Sequence, residues 1–463
     1  MIRLMHNEII KLINKKSFYI VTFIFILFCV LTNIVYRTPL DNYDTAVVDI
    51  GALEEENASL NLNNSEDLLI YVENLTTMEM ERLKDEYSSN VQEYLIDHFL
   101  YSYIYQMYED EYILKNQGLY MASLSELEDR INYVSDSNWQ YFLDERISYL
   151  ESRFNETEGI EKMRYERLLD LANYRKENNI PYDDNNYLHN SLEFLEKNMV
   201  EYINLLNDED LTSEEESRLE FLEEEMSIHE YVIETEQDIL NDHTLRAVLT
   251  NFSGEFGLFI LIYVIMVAGS IVSEEYQRGT IKNLLTKPFR RRTILSSKLF
   301  VVILFIPLIM LFMSLMEILI GGLILGFDSL FVPVVQYANG GLETYSVFGY
   351  LFSLLLASLP IYLVVGILAF MLSTITSSTS AAITISFLFY LMFNVISNLA
   401  VVYAFWVFKF FVSLYWDFSY LVTGTSSPFG VSVSTSILVI ALYILVMLCI
   451  TYVTFGKKDV KNI

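Results

Sequence analysis

Six stretches of the chain stay apolar for about the 20 residues that a membrane-crossing helix needs. They run roughly over 18–36, 256–272, 299–325, 347–372, 381–403 and 435–455. A different pattern fills the long interval between the first two. In the run Met78–Lys115, apolar residues fall at three- and four-residue steps: Met80, Leu83, Tyr87, Val91, Tyr94, Leu95 and Phe99. That spacing places one apolar stripe on an amphipathic helix. Similar runs cover Leu124–Phe154, Ile160–Glu177 and Tyr187–Leu206, and Pro181 with its Asp and Asn neighbours marks a turn. Thr212 and Glu215 have the spacing of a capping box and open a helix expected to reach about Asp242. The segment Asp41–Asn74 is weakly patterned and reads as a loop, with a short strand at Ala46–Ile50.

Ahead of the first apolar stretch, Ile2, Met5, Ile9 and Ile13 share one helical face, with Arg3 and Lys11 away from it. This predicts an amphipathic helix at the membrane interface over 1–16. The first apolar stretch lacks a small-residue cleavage site and runs into Arg37 without a break, so it reads as an anchor rather than a cleaved signal. The expected architecture is an all-α membrane protein with six transmembrane helices and a mainly α-helical outer domain. Its parts are the interfacial helix, a first span at 17–36, the helical domain at 37–254, five further spans over 255–455 and a tail at 456–463.

Charge separates these parts. Of the 463 residues 53% are hydrophobic, yet the formal net charge is −30. Between Arg37 and Gly254 there are 51 acidic and 15 basic residues, while the remainder carries a net of +6. Lysine and arginine gather at three places: Arg3, Lys11, Lys15 and Lys16; Arg278, Lys282, Lys287, Arg290, Arg291, Arg292 and Lys298; and Lys457, Lys458 and Lys461. Basic residues favour the cytoplasmic side. Six spans with both termini inside satisfy all three clusters and place the acidic domain outside, together with 326–346 and 404–434. Acidic runs such as Glu214–Glu216 read first as solvated helix faces. The sharper expectation is an outer surface that attracts cationic peptides or amphiphiles. Both cysteines, Cys29 and Cys449, fall inside spans, so the outer domain is expected to fold without disulfides.

Catalytic patterns are missing. There is no Gly-x-x-x-x-Gly-Lys-Ser/Thr, no His-Glu-x-x-His and no Cys/His cluster, and His6, His98, His189, His229 and His243 form no ligand pair. The chain is therefore not expected to be an enzyme or to hold a cofactor or metal of its own, and nothing points to nucleic acid. Within the spans, Glu317 stands out, because a carboxyl at membrane depth is costly and faces a partner or cavity. Lys409, in the outer segment, is its candidate partner. Asn394 and Asn398 lie one turn apart on the fifth span, where they would hydrogen-bond across a helix interface. These four residues are the candidates for a translocation path. Pro307 and Pro360 are expected to kink the third and fourth spans.

The segment Ser273–Lys298 reads SEEYQRGTIKNLLTKPFRRRTILSSK. Sidedness accounts for its arginines. It does not account for an acidic pair (Glu274, Glu275), a Gly-Thr step (Gly279, Thr280), and Leu284 and Leu285 followed by Pro288 and Arg291, in that order. The pattern resembles the cytosolic loop after the second span in permease subunits of type-2 ABC exporters, where this loop forms the coupling helix that docks into the ATPase subunit. The short polar loop Ser373–Ser380 and the 404–434 segment, with its Pro428-Phe429-Gly430 break, are also similar to that family. The resemblance covers the six-span layout, about half of the chain; the large insert departs from the simplest members and is similar to subgroups linked to peptide, antibiotic or lipid export.

The resemblance implies that ATP and Mg are bound by a partner, with two ABC ATPase subunits and a second permease copy or paralogue completing the complex in the lipid of a bacterial plasma membrane. The cargo would be hydrophobic or amphiphilic, and an extracellular peptide or amphiphile is a further possible partner. Gly279 would permit a tight turn, and Leu284 and Leu285 would fill an apolar groove of the ATPase. Glu274 and Glu275 would pair with basic residues on the ATPase or with Arg290–Arg292. The alternative is a membrane receptor or scaffold whose outer domain binds a ligand or partner protein.

Overall fold

The computed structural model describes residues 2–38, 48–208, 210–282, 290–338, 340–403, 409–424 and 430–458. Among them the chain is almost wholly helical. It divides into two compact units: Met1–Pro39, Asn241–Ala338 and Glu343–Ile463 form one, and Leu40–Leu240 with Asn339–Leu342 form the other. Residues 241–254, expected to belong to the insert, group instead with the spans.

Among the described residues, the first unit holds six helices long and apolar enough to cross a membrane: Lys16–Arg37, Phe252–Ser270, Arg291–Leu325, Val347–Thr376, Thr379–Tyr403 and Val433–Lys457. The third begins at Arg291, well before its apolar run, so the polar stretch RRTILSSK is its first two turns. Pro307 and Pro360 both lie inside helices that continue through them. A leading helix, Ile2–Ile13, precedes the first span; its Leu12 is buried, and Met5 and Ile9 pack against the same core.

Without a hydrophobic effect between helices in lipid, close packing and hydrogen bonds hold spans together. Small residues supply the approach here. A Cβ built on Gly366 of the fourth span would stand 3.0 Å from Val264 of the second and 3.1 Å from Ile306 of the third. Phe25 and Phe28 of the first span meet Phe256 and Phe259 of the second, with ring centroids 4.9–5.9 Å apart. Such pairs add to simple area burial. The short helix Leu245–Thr250, capped by the Thr244 side chain, packs on the third and fourth spans. The connection from the third to the fourth span carries a two-stranded hairpin, Val334–Ala338 with Gly341–Tyr345, which the hydrophobic pattern did not announce. In the 404–434 segment, the described part places Trp416 against Tyr390 and Phe393 of the fifth span.

The insert is a set of helices around two apolar cores, one built from residues between Leu83 and Tyr182, the other between Ile180 and Ile233. Helices Ile50–Ser59 and Ser65–Glu86 occupy the region expected to be a loop; Ala46 lies outside the described residues, and Ile50 opens a helix rather than closing a strand. The expected Met78–Lys115 helix is several pieces. Ser89 and Gln92 form a capping box that starts a new helix at Asn90, and π-turns follow at Ile96–Leu100 and Glu109–Ile113. The Leu124–Phe154 run likewise divides into Gln117–Ser135 and Trp139–Glu156, with Ser137 left-handed between them. Gly159–Glu177 and Tyr187–Leu206 follow their patterns. Thr212 and Glu215 make both halves of the capping box, and the helix they open ends at Thr235 with Glu236 left-handed, short of Asp242. Thr212→Ala is expected to cost about 1 kcal/mol, read as faster amide exchange in the first turn of that helix.

Asp184, His189 and Glu193 of the insert come within 4.8 Å of one another, a grouping that the sequence spacing did not announce. Arg175 settles their chemistry. A guanidinium only donates, and its Nη1 lies 3.0 Å from His189 Nδ1, so that nitrogen accepts and the imidazole proton sits on Nε2. Burial, with Arg175 alongside, pushes His189 down to about 4. The Nε2–H therefore offers no lone pair to a metal, and Asp184 Oδ1, at 3.6 Å, lies beyond hydrogen-bond reach of it.

Candidate functional site

The segment after the second span begins as a short helix, Ser273–Gln277, and turns at Gly279, whose φ of +69° is the left-handed value that glycine adopts without penalty. Thr280 Oγ1 closes back on the Glu275 carbonyl at 3.5 Å. The helix is joined to the fourth and fifth spans by hydroxyl bonds. Ser273 N–H donates to Ser373 Oγ at 2.9 Å, Ser273 Oγ meets Thr379 Oγ1 at 3.0 Å, and Thr379 Oγ1 donates to Gln277 Oε1 at 2.9 Å. The last turn of the fourth span and the first of the fifth thus serve as the seat of the segment; of the expected loop Ser373–Ser380, only Ser377 and Ser378 lie between the two helices.

Glu274 and Glu275 do not pair with Arg290–Arg292. Glu274 is 2.5 Å from Lys15 and 2.6 Å from Arg278. Glu275 is 3.0 Å from Lys298 and 3.3 Å from Lys11. Lys298, counted from sequence among the basic loop residues, is 2% exposed because the third span starts so early. Its ammonium has three protons and three partners: Glu8 at 2.9 Å, Glu275 at 3.0 Å and the Ile271 carbonyl at 2.9 Å. Glu8 also holds Lys11 at 3.0 Å. The result is a neutral quartet of Glu8, Lys11, Glu275 and Lys298, in which all but Lys11 are buried. Burial raises the Glu8 carboxyl, but Lys298 and Lys11 outweigh it and hold Glu8 below its ordinary value. Burial lowers Lys11, and Glu8 and Glu275 outweigh that and hold it above its own.

Arg291 has another partner. Its Nη1 donates to the carbonyls of Gly456 and Lys458, at 3.4 and 3.1 Å, which are the open acceptors at the end of the sixth span. Lys458 does the same for the fourth span: its Nζ donates to Thr374 O at 2.7 Å, Ile375 O at 3.0 Å and Ser377 Oγ, and it lies 4.7 Å from the ring centre of Tyr276. Leu284, Leu285 and Pro288 lie outside the described residues. A groove of ≈ 1210 Å³ runs between the leading helix and the segment, lined by Lys11, Lys15, Ser270, Arg278, Thr280 and Thr379 among others.

The residues picked for a translocation path are not brought together. Glu317 is wholly buried and bonds Asn33 of the first span at 2.6 Å, with the Cys29 thiol beside it; it does not contact Lys409. Lys409 is exposed, and its carbonyl accepts from Tyr415 OH at 2.8 Å. Asn394 is exposed, beside Tyr390 of its own helix. Asn398 lies in the same helix, its side chain outside the described set.

The residues that pattern reading missed are Glu8, Lys15, Asn33, Ser373 and Thr379. Glu8 did carry a signal, an acidic residue one turn before Lys11, on a helix whose apolar face runs through Met5, Ile9 and Leu12.

The family described as "ABC-2 family transporter protein" matches residues 2–460. A Bacillus subtilis (strain 168) protein, named "Uncharacterized protein YhcI", is 27% identical over 241 residues, which are 52% of this chain and 76% of that protein. No solved structure matches. The six spans and a match that runs through the leading helix, the insert and the last span lead to one assignment: the chain belongs to the ABC-2 family of transporter proteins, as a multi-pass membrane component.

Proposed function

We propose that this chain is the permease subunit of an ATP-driven exporter, and that Ser273–Lys298 is the element through which a separate ATPase drives it. The observation that carries this reading is the seating of Ser273–Gln277. It is bonded to the leading helix through Lys11 and to the turn after it through Lys15, to the third span through Lys298, and to the fourth and fifth through Ser373 and Thr379. A load applied to this one segment reaches four other helices through short polar contacts. A flexible loop would dissipate it.

In this reading ATP and Mg are held by two partner ATPase chains, and a second permease copy or paralogue faces this one across the path. The cargo is hydrophobic or amphiphilic: a peptide, an antibiotic or a lipid-like molecule. The three basic clusters place the segment and both termini in the cytoplasm of a bacterial cell and the insert outside. Leu284 and Leu285 provide the apolar contact with the ATPase.

The test is purification of the tagged full chain from its native membrane in mild detergent, with ATPase activity read on the eluate. A P-loop protein is expected to co-purify, and Leu284→Asp is expected to reduce that activity at least tenfold while the permease itself stays folded. An intact preparation with no ATPase would overturn the reading in favour of a receptor or scaffold.

A further inference from the structure

We propose that Glu317 and Asn33 form a proton-binding site between the third and first spans, in which one proton on Glu317 Oε2 completes an acid–amide pair. Both side chains are 0% exposed. Asn33 Nδ2 spends its two protons on Glu317 Oε1, at 2.6 Å, and on the Cys29 carbonyl, at 2.8 Å. That leaves two buried acceptors, Glu317 Oε2 and Asn33 Oδ1, with no hydrogen-bond partner among the described residues. Unpaired polar atoms at such depth are costly, and an unpaired carboxylate more so. The bases on the neighbouring elements are Arg37, at the end of the first span, and Arg246, on the short helix Leu245–Thr250, and neither forms an ion pair with Glu317. The first span presents the Cys29 thiol, the second span carries Glu255, itself acidic, and the short helix Leu245–Thr250 presents Leu245. Among the described residues the remaining donor at Glu317 is the Cys29 thiol, a weak one, so a strong donor must come from a ligand.

Size decides which one. A Cβ on Gly321 would stand 2.6 Å from Leu245 Cδ1, 2.8 Å from Asn33 Oδ1 and 3.0 Å from Glu317 Oε1, so on the Gly321 side the site has no room for even a methyl group. A water molecule needs about 10–15 Å³ of free volume and two or more polar partners. A hard metal cation needs roughly six oxygens at about 2.0–2.6 Å, where this site has three. A proton needs no volume. On Oε2 it makes the acid a donor, and the unpaired amide oxygen of Asn33 is the acceptor at hand. The amide already donates to the acid in the other direction, so a single proton satisfies both orphaned oxygens.

The pair bridges helices 284 residues apart in sequence. Any rearrangement that parts the first span from the third opens the carboxyl and lets the proton leave, so that separation is proton-linked. The site stands independently of the exporter reading.

Infrared difference spectroscopy on the full chain in lipid nanodiscs tests it. Native minus Glu317→Gln is expected to show a protonated-carboxyl C=O band, lost in the variant. Carboxylate bands in its place would overturn the proposal. Glutamine offers the same donor and acceptor as the neutral acid, so this variant is expected to keep the native melting temperature. Asn33→Leu provides a second reading should Glu317→Gln fail to fold: removal of the amide shifts the protonated-carboxyl band to higher frequency. A band that stays in place would show that the acid is not paired with Asn33.

Discussion

Lys298→Met is expected to lower stability by about 3–5 kcal/mol, the range for removing one partner of a buried ion pair. The substitution nearly preserves volume, so the loss is electrostatic: Glu8 and Glu275, both under 10% exposed, would lose the cation they share, and the Ile271 carbonyl would lose its donor. The measurement is a thermal melt of the full chain in detergent. The triple variant Glu8→Gln, Glu275→Gln and Lys298→Met removes the stranded charges along with the cation and is expected to melt above the single variant. If the single variant melted as the native chain does, Lys298 would not hold the quartet together. Acid provides a parallel check. Glu8 is held below its ordinary value of 4.5, so its contribution is present above that pH and fades as the pH falls through and below it. Lys11 is held above 10.5, so its contribution is lost only as the pH rises beyond that. The quartet is expected to be at full strength between these limits.

Phe142→Ala is expected to cost about 3–5 kcal/mol within the insert. Phe142 is 1% exposed and packs on Phe99, with ring centroids 5.1 Å apart, in the first of the two insert cores. Limited proteolysis of the full chain reads the effect. Cleavage between about residues 83 and 182 is expected to accelerate in the variant, with the second insert core and the spans cut at the native rate. Equal protection in both proteins would mean that this core contributes little to the integrity of the insert.

The spans were legible in the sequence because lipid imposes a demand, about 20 apolar residues, that hydropathy reads directly. Their polar ends were not. RRTILSSK is helical but lacks apolar residues at span density, so hydropathy starts the third span at Leu299 and counts Lys298 with the loop. In the insert a three- and four-residue step survives a break in the backbone: Leu83 and Tyr94 sit in one core although one helix ends at Glu86 and Ser89 caps the next. Periodicity reports which face is buried, not whether the helix is continuous. The Thr212–Glu215 box, a purely local device, was readable in full. For the site, Glu274, Glu275 and Gly279 could be singled out by their order, but their partners could not. Lys11 and Glu275 are 264 residues apart, and nothing in the spacing of either announces the other.

The quartet also sets a schedule for how the protein is made. Glu8 leaves the ribosome 290 residues before Lys298. At roughly 5–20 residues per second, that is an interval of about 15–60 s, during which the entire insert is synthesised. The nascent leading helix must spend that time with its acidic residue solvated, or held by Lys11 alone. The leading helix is therefore closed onto the bundle only by the return of the third span, with contacts such as Lys458 to Thr374 following later still, and an arrested chain that ends before Lys298 would expose an unpaired Glu8 as a mark of incomplete biogenesis.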